Sequence, residues 1–277
     1  MALVRRAQPW LGTLVEISLD AADEQAFQSA FGLIGEIHSR MSYHSNDSDL
    51  ALLRSAAPGT TVTVSPHTVE VLRLAKWLFD ETAGLFDIGI GRRLVAAGYL
   101  PKMDGRPLFQ FTGNAGDIEI VDDAHVVCHR PILIDLGGIA KGYAVDVALS
   151  GLADRGCTYA LINAGGDLRH MGPWPETIGL RGPDGVVSHE IEIANVAVAT
   201  SSNFLFRRKS RGRVVSPHIG RDLDPLLIDT AVTVVAPECT LADAMTKIAM
   251  ADRGLAEHML SKVGGSFFSI PMKEDAA

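Results

Sequence analysis

Alternation of apolar and polar residues near the start of the chain predicts a β-strand. In the stretch 13–19, Thr13, Val15, Ile17 and Leu19 share one face, and a period of two is typical of a half-buried strand. Further strands are predicted at residues 131–136, 159–162, 178–181, 190–193, 196–200, 231–236 and 267–270. Most of the predicted strands therefore lie in the second half of the chain.

Apolar residues at helical spacing predict four helices, each with a capping side chain before it or a glycine after it. They run from Asp20, through Phe27, Phe31 and Ile34, to Met41; from Ser65-Pro66 to Gly84; from Gly138 to Arg155, closed by Gly156; and from Thr240 onward.

The order of these elements bears on the fold. Helices and strands do not alternate regularly, which favours an α+β fold over a doubly wound parallel sheet. We expect a single domain over residues 1–277, with two lobes, mixed or antiparallel sheets and packed helices. The Gly- and Pro-rich stretch 100–116 is the expected lobe boundary, and residues 273–277 are expected to form a loose tail.

Composition and charge exclude several classes of protein. Of the 277 residues, 47% are hydrophobic and 21% are charged, and the net charge is −8. No apolar run approaches the roughly 20 residues of a membrane-spanning helix, and the negative charge counts against a duplex nucleic-acid binder. The one basic run, Arg207–Lys209 with Arg211 and Arg213, is interpreted as a solvated loop.

The cysteines and the first residues bear on the compartment. Cys128, Cys157 and Cys239 are far apart and odd in number, which indicates neither a disulfide framework nor a thiolate zinc site. Arg5 and Arg6 are not followed by the apolar core of a secretory signal. We therefore expect a cytoplasmic protein.

The densest group of chemistry-bearing residues is Asp135–Asp146, between a predicted strand and a predicted helix. An acid ends the strand, Gly137 and Gly138 follow, and Lys141 lies in the first helical turn. Free amides and the positive end of a helix suit a phosphate or pyrophosphate, and the lysine adds a movable positive charge. The spacing is neither that of a P-loop nor G-x-G-x-x-G, and a purely structural turn is the alternative.

Three weaker candidates also have structural alternatives. The segment Asn163–Asp167 can admit a ligand at its glycines or simply turn. The segment Thr82–Asp87 is typical of a helix end followed by a core phenylalanine and a turn aspartate. In Ser216–Ile219, a lone histidine is more often structural than catalytic.

A further candidate is the segment Ala242–Lys247. Asp243 can share a helix face with Thr246 or Lys247, and oxygen ligands of this kind suit Mg²⁺. The alternative is a capping box from Thr240 to Asp243.

Together and in this order, the motifs resemble the ApbE family, the FAD:protein FMN transferases. The resemblance spans about residues 10 to 250, and Asp135–Asp146 is its most specific part. The matching segments are Leu11–Thr13, Ser42-Tyr43 with Ser48-Asp49, Thr82–Asp87, Asp135–Asp146, Asn163–Asp167, Ala197–Ser202, His218-Ile219 and Ala242–Ala244.

The resemblance implies transfer of the FMN half of FAD to a Thr or Ser of a target flavoprotein, with loss of AMP and assistance from Mg²⁺. FAD and an acceptor flavoprotein with a Thr/Ser flavinylation motif are the implied partners. The implied FAD contacts are Leu11, Tyr43, Leu85, Phe86, Asp87, Asp135, Lys141 and Ile219. The implied metal ligands are Gly138 through its carbonyl, Asp243 and Thr246, and His218 is implied to help deprotonate the acceptor hydroxyl.

The chain departs from the family pattern in the metal motif, where Lys247 occupies the place of the family's threonine. At about 4 Å, its ammonium attracts Asp243 by roughly 4 kcal/mol at an effective dielectric constant of 20 and repels Mg²⁺ by a similar amount. Lys247 either replaces the metal charge or turns outward while Thr246 supplies the ligand. We expect the second outcome, because a lysine stem readily carries its charge to water.

This departure leaves two alternatives to FMN transfer, a non-catalytic FAD-binding protein and an FAD pyrophosphatase. Whichever of these activities the protein has, Asp135→Asn and Lys141→Ala are expected to weaken FAD binding. The melting temperature of each variant is expected to stay within a few degrees of the parent.

Overall fold

The computed structural model describes residues 3–20, 23–103, 105–210, 212–221 and 223–272. The predicted tail at 273–277 lies outside the described residues, as do Arg211 of the basic run and Asp222 after His218. The strands are β1 (Val4–Trp10), β2 (Thr13–Leu19), β3 (Thr61–Thr63), β4 (Ile118–Ile120), β5 (His125–Cys128), β6 (Ala160–Ala164), β7 (Asp167–Met171), β8 (Glu176–Arg181), β9 (Val187–Ile193), β10 (Ala197–Ser201), β11 (Arg208–Ser210), β12 (Arg213–Val215), β13 (Thr230–Ala236) and β14 (Ser266–Pro271). The α-helices are α1 (Glu24–Met41), α2 (Asp49–Ser55), α3 (Pro66–Glu81), α4 (Gly91–Ala97), α5 (Ala140–Asp154), α6 (Cys239–Ala251) and α7 (Arg253–Ser261).

The centre of the molecule is a 7-stranded sheet in the order β1-β2-β6-β7-β10-β13-β14. Every neighbouring pair in it is antiparallel. Smaller antiparallel sheets are formed by β3-β5-β4, by β8-β9 and by β11-β12. The expected α+β fold with packed helices is therefore confirmed, while the lobe boundary at 100–116 stays a prediction.

Both faces of the central sheet are covered, and β10 illustrates how its sequence serves both. Ala197 and Ala199 belong to the main core under the helices. Val198 points the other way, into a smaller core that includes Leu180 of β8 and Ile193 of β9. A strand with apolar residues on both faces is typical of a sheet that is buried on both sides.

The packing of α5 against the start of α6 depends on Gly142. A Cβ atom at this position would lie 2.2 Å from the carbonyl oxygen of Cys239. The start of α6 is capped by a side chain from α5, because Asp146 accepts hydrogen bonds from the amides of Cys239 at 2.9 Å and Thr240 at 2.8 Å. The capping box from Thr240 to Asp243 is therefore wrong: Thr240 lies inside α6, and its hydroxyl also donates to Asp146.

The apolar run at 131–136 is buried but forms no strand, contrary to the prediction. Its backbone pairs instead with the short 3-10 helix Ile88–Ile90 and with the first residue of α4. The Asp135 amide donates to the Ile88 carbonyl at 2.8 Å, and the Gly91 amide donates to the Leu133 carbonyl at 3.0 Å. A short apolar run in a sequence predicts that the segment is buried. It does not predict which segment its backbone will pair with.

Two further local predictions need correction. The cap of α1 is Asp23, whose carboxylate accepts from the Ala26 amide, whereas Asp20 accepts from Thr158. The basic run is not a simple loop, because Arg208 begins the β11-β12 hairpin. The start of α3 at Ser65-Pro66 and the closure after α5 by Gly156, with φ of 84°, are as predicted.

No helix among the described residues combines the length and the apolar character needed to cross a membrane.

The close contact at Gly142 predicts a large difference between two glycine-to-alanine substitutions. We expect Gly142→Ala to lower the free energy of unfolding by about 1–3 kcal/mol, because the added methyl group overpacks a buried backbone contact. An added Cβ atom at Gly32, on the exposed side of α1, would meet no neighbouring element within 4 Å. There, Gly32→Ala should raise stability by about 0.5–1 kcal/mol through helix propensity. Urea unfolding measures both values, and equal effects would contradict the packing argument.

Candidate functional site

A cavity of about 480 Å³ lies between the central sheet, the start of α5 and the loop after β12. Its size falls within the roughly 300–1,000 Å³ that is typical of small-molecule sites. The lining comes from the segments 84–90, 135–141, 165–167, 200–206 and 217–220, together with Leu94, Tyr99, Leu100, Leu223 and Lys247. The fold thus brings segments together that lie far apart along the chain.

Most of the residues predicted to bind FAD meet at this cavity. The predicted site residues that line it are Leu85, Phe86, Asp87, Asp135, Gly138, Lys141, His218 and Ile219. Asp243 and Thr246 are fully buried and contact Lys247, which lines the cavity.

Leu11 and Tyr43 lie elsewhere. Leu11 forms the two-residue turn between β1 and β2 with Gly12, has a φ of 55° and packs against the main core. Tyr43 is 5% exposed, lines a separate small cavity and donates a hydrogen bond to the Pro101 carbonyl at 3.1 Å. Contact of these two residues with FAD stays a prediction.

The segment after α3 serves the fold and the cavity together. The Thr82 hydroxyl accepts a hydrogen bond from the Phe86 amide at 3.0 Å, and Phe86 is 6% exposed. Asp87 accepts from the amides of Gly89 at 2.8 Å and Ala115 at 2.9 Å. Burial raises the pKa of Asp87, although these amides oppose the shift. The segment therefore forms the predicted helix end, core phenylalanine and turn aspartate. Phe86 and Asp87 also line the cavity.

Asp135 is held at the cavity edge by its own backbone and by the glycine turn that follows. Gly137 packs against this carboxylate, and an added Cβ atom there would lie 3.3 Å from Oδ2 of Asp135. Burial raises the pKa of Asp135, and the Gly137 amide and Lys141 act in the opposite direction. This carboxyl group is thus available to hydrogen-bond a ligand in the cavity.

The buried carboxylate of Asp243 lies between two ammonium groups. The Nζ atom of Lys247 is 2.6 Å from Oδ1, and the Nζ atom of Lys141 is 3.4 Å from Oδ2. Lys141 also lies 2.8 Å from Asp167. We call these four side chains, Lys141, Asp167, Asp243 and Lys247, the Asp243 cluster; its formal charge is zero, from two positive and two negative groups.

The pKa shifts in the cluster reflect burial opposed by charge pairing. Burial alone would raise the pKa of Asp243, but Lys141 and Lys247 outweigh it and the pKa is lowered. Burial and the neighbouring Asp243 raise the pKa of Asp167. Burial would lower the pKa of Lys141, but Asp167 and Asp243 outweigh it and raise that pKa well above its ordinary value. Lys141 and Asp243 are therefore charged at neutral pH.

Lys247 points inward, so the expectation that it turns toward water is wrong. Besides Asp243, its ammonium donates to the hydroxyls of Ser201 at 2.9 Å and Thr246 at 3.0 Å. An ammonium has three N–H donors, and three oxygen atoms receive them here. An unpaired carboxylate in the interior is strongly destabilising, whereas a lysine on the surface contributes little to stability. This difference in energy explains the inward orientation of Lys247.

As arranged, these residues do not fit Mg²⁺. Both carboxylate oxygens of Asp243 already contact ammonium groups. Within the described ranges, no three His, Cys, Asp or Glu side chains come together in a group that could hold a metal ion. The ligand roles implied for Gly138, Asp243 and Thr246 would require Lys247 to leave.

The amide of Gly142, in the first turn of α5, is 3.4 Å from Oδ2 of Asp243. The helix start that the sequence pattern assigns to a phosphate thus also faces a carboxylate of the protein itself.

His218 lies in the loop after β12, with its amide bonded to the Ser216 hydroxyl at 3.1 Å. Its Nδ1 atom is buried and has no hydrogen-bond partner among the described residues. Burial, followed by the positive charges of Lys247 and Lys141, lowers the pKa of His218 to about 3. The imidazole is therefore neutral at neutral pH, the form that can accept a proton.

Asp167 and Ser201 belong to the site but are not among the predicted site residues. Each stands in a segment that the motifs single out, Asn163–Asp167 and Ala197–Ser202. The signal is thus present in the sequence, but it does not tell which side chains these residues contact.

Comparison with known proteins identifies the relatives of this chain. The family model described as ApbE family matches residues 11–261. The chain belongs to the ApbE family. The family resemblance drawn from the motifs is therefore confirmed.

Curated ApbE relatives include proteins named FAD:protein FMN transferase. The one from Vibrio cholerae is 26% identical, with 91% of this chain and 83% of the relative covered. The one from Chlamydia pneumoniae is also 26% identical, with 87% of this chain and 79% of the relative covered.

Solved ApbE structures share the fold. The ApbE protein of Thermotoga maritima superposes with a TM-score of 0.83 at 23% identity, covering 97% of this chain and 94% of that one. The flavin transferase ApbE of Vibrio cholerae gives 0.79 at 22% identity, covering 99% and 95%.

The Asp243 cluster changes the expected effect of Lys141→Ala. This substitution leaves Asp167 and part of Asp243 without a counter-charge, so we expect it to lower the free energy of unfolding by about 3–5 kcal/mol. For this variant, the ion pairs of Lys141 thus replace the expectation of a nearly unchanged melting temperature with an expected loss of stability. The control is Lys76→Ala, which removes an exposed ion pair with Asp80 and should cost about 0.3–0.5 kcal/mol. Urea unfolding decides, and equal costs would contradict the cluster's importance.

The lowered pKa of His218 predicts an acid sensitivity that a substitution removes. The unfolded chain takes up a proton near pH 6.5, while the folded protein does so only near its pKa of about 3. The contribution of His218 to the free energy of unfolding is therefore fully present above pH 6.5. It is lost as the pH falls, because only the unfolded chain then gains a proton. Between pH 7 and pH 5, wild type should lose about 2 kcal/mol more unfolding free energy than His218→Gln. Parallel pH profiles for the two proteins would contradict the shift.

Proposed function

We propose that this protein transfers the FMN half of FAD to the hydroxyl of a threonine or serine in a target flavoprotein and releases AMP. The observation that carries the proposal is the convergence of three distant segments, 85–87, 135–141 and 218–219, on one cavity beside the Asp243 cluster. Relatives that cover most of the chain are named for this activity, which supports the same reaction here.

The reaction is a displacement at phosphorus. The acceptor oxygen forms a bond to the phosphorus of the FMN half, and the bond from that phosphorus to the bridging oxygen breaks. AMP leaves with the bridging oxygen, and the acceptor hydroxyl loses its proton. Such transfer depends mainly on positioning and on neutralising phosphate charge.

The side chains at the cavity suit these tasks. Lys141 supplies a positive charge, because its pairing with two carboxylates keeps its amino group protonated. Asp135 offers a carboxyl group for hydrogen bonding to the flavin nucleotide. His218, neutral with a buried Nδ1 atom that has no described partner, is proposed to receive the acceptor proton.

Three finer expectations from the sequence belong to this proposal. Assistance by Mg²⁺ is tested by chelation in the same assay, because the described residues do not fit the ion as arranged. The Thr/Ser flavinylation motif of the acceptor and the cytoplasmic location stay predictions.

The first measurement is flavin binding, followed by fluorescence quenching. We expect wild type to bind FAD more tightly than FMN, because the family match through Tyr43, Phe86, Asp87 and Asp135 implies contacts to both halves of the dinucleotide. We expect Asp135→Asn to weaken FAD binding by about 10- to 100-fold, the effect of losing a hydrogen bond to a charged group. Equal affinity for FAD and FMN would count against the proposal.

The second measurement is transfer. The protein is incubated with FAD and a peptide that carries the acceptor motif expected from the family resemblance, D-x-x-[ST]-G-A-T, and the peptide mass and AMP release are followed. An FMN-sized mass increase is expected, and it should disappear when the acceptor Thr or Ser is replaced by alanine. AMP release without a peptide adduct would instead favour an FAD pyrophosphatase. FAD binding without AMP release would favour a non-catalytic flavin-binding protein.

A further inference from the structure

We propose that the ammonium group of Lys247 is a built-in substitute for a divalent cation, so that FAD binding and FMN transfer need no metal ion at this position. The part that concerns transfer rests on the proposed function. The part that concerns metal binding involves the protein alone and can be tested without FAD.

The first argument is the geometry around the ammonium. It lies among three oxygen atoms: the Asp243 carboxylate at 2.6 Å and the hydroxyls of Ser201 at 2.9 Å and Thr246 at 3.0 Å. We call these three atoms the oxygen cage. A carboxylate and two hydroxyls are donors that a hard cation such as Mg²⁺ takes, yet here the cation is part of the chain.

The second argument is that the protons of the cage are accounted for. Thr246 donates its hydroxyl hydrogen to the Asp243 carbonyl at 2.7 Å. The hydroxyl of Ser201 can then donate to that of Thr246, 2.8 Å away, while Lys247 donates to both. Each hydroxyl hydrogen and each ammonium hydrogen has a partner, so removal of the ammonium leaves buried acceptors unsatisfied.

The third argument is charge. Without Lys247, the Asp243 cluster has two carboxylates and one ammonium, with a formal charge of −1. The lysine brings it to zero. A divalent ion added beside Lys247 would bring it to +2, next to two ammonium groups in a buried site, where like charges repel strongly. Lysine and metal therefore exclude each other in the cage.

The fourth argument is the position of the lysine stem relative to the cavity. Lys247 lines the cavity, and 23% of its side chain is exposed. Its stem passes directly over Gly138, where an added Cβ atom would lie 3.2 Å from the lysine Cε atom. The positive charge is thus held at the cavity wall by packing as well as by hydrogen bonds, and Lys141 lies on the other side of the same carboxylate.

The first test measures metal binding without FAD. Mn²⁺ is titrated into the intact protein, and the free ion is followed by electron paramagnetic resonance. We expect no uptake at the cage by wild type. Lys247→Thr and Lys247→Ala both free the cage, and either should bind Mn²⁺ about 100-fold more tightly than wild type. Adding Asp243→Asn to either Lys247 variant should abolish this binding, because the cage then has no carboxylate.

Equal Mn²⁺ binding by wild type and both variants overturns the proposal, and so does the absence of binding in all of them. The matched control is Lys76→Thr, which removes a lysine from an exposed pair with the same four-residue spacing and should behave like wild type. Thermal melting identifies a variant that does not fold, and the wild-type titration stands without either variant.

The second test uses FAD binding and FMN transfer in EDTA or in excess Mg²⁺. We expect both wild-type values to be unchanged by EDTA. Lys247→Thr should lose about 10-fold or more of its transfer rate in EDTA, as expected when a charge-assisted interaction is removed, and should regain activity with Mg²⁺. Wild-type transfer that stops in EDTA overturns this inference while it supports the proposed function. Absence of transfer under every condition overturns the proposed function, and the Mn²⁺ titration still decides the role of Lys247.

Discussion

A carboxylate with no exposed surface is stable in a protein interior only when its charge is compensated, and Asp243 imposes this requirement on the centre of the molecule. Its partners come from two helices, with Lys141 in α5 and Lys247 in the same helix as Asp243, α6. Lys141 in turn contacts Asp167 at the start of β7. The requirement therefore links two helices to the central sheet at the edge of the cavity.

A second carboxylate reinforces this arrangement one turn further along α5, and the resulting rigidity has a chemical use. Asp146 accepts from the first amides of α6 and pairs with Arg169 of β7 at 2.7 Å, while Gly142 lets the two helix backbones approach closely. Charges that are already in position when a phosphate ester binds need not reorganise during the reaction, and such preorganisation is a major source of catalytic power. In the proposed function those charges are Lys141 and Lys247, whose partners are fixed by the fold. In this member of the ApbE family, an ammonium group of the chain itself is thus held in place at the edge of the cavity.

The sequence by itself determined the family, the fold class, the four longest helices and half of the strands, because these depend on local signals. Period-two alternation identified β2, and a capping serine with its proline identified the start of α3. Motif order identified the segments that meet at the cavity. The strand predicted at 131–136 is wrong because its pairing is not local: its backbone partners Ile88 and Gly91 lie far back in the chain, in a short 3-10 helix and at the start of α4.

The tertiary structure alone decided the direction of Lys247 and the partners of Asp167 and Ser201. Sequence spacing shows that Lys247 can reach Asp243, but it equally allows the lysine to extend into water. What selects the inward position is the burial of Asp243 together with a hydroxyl brought in from β10. These are contacts between residues distant in the chain, and the energy of a buried charge depends on them rather than on the local sequence.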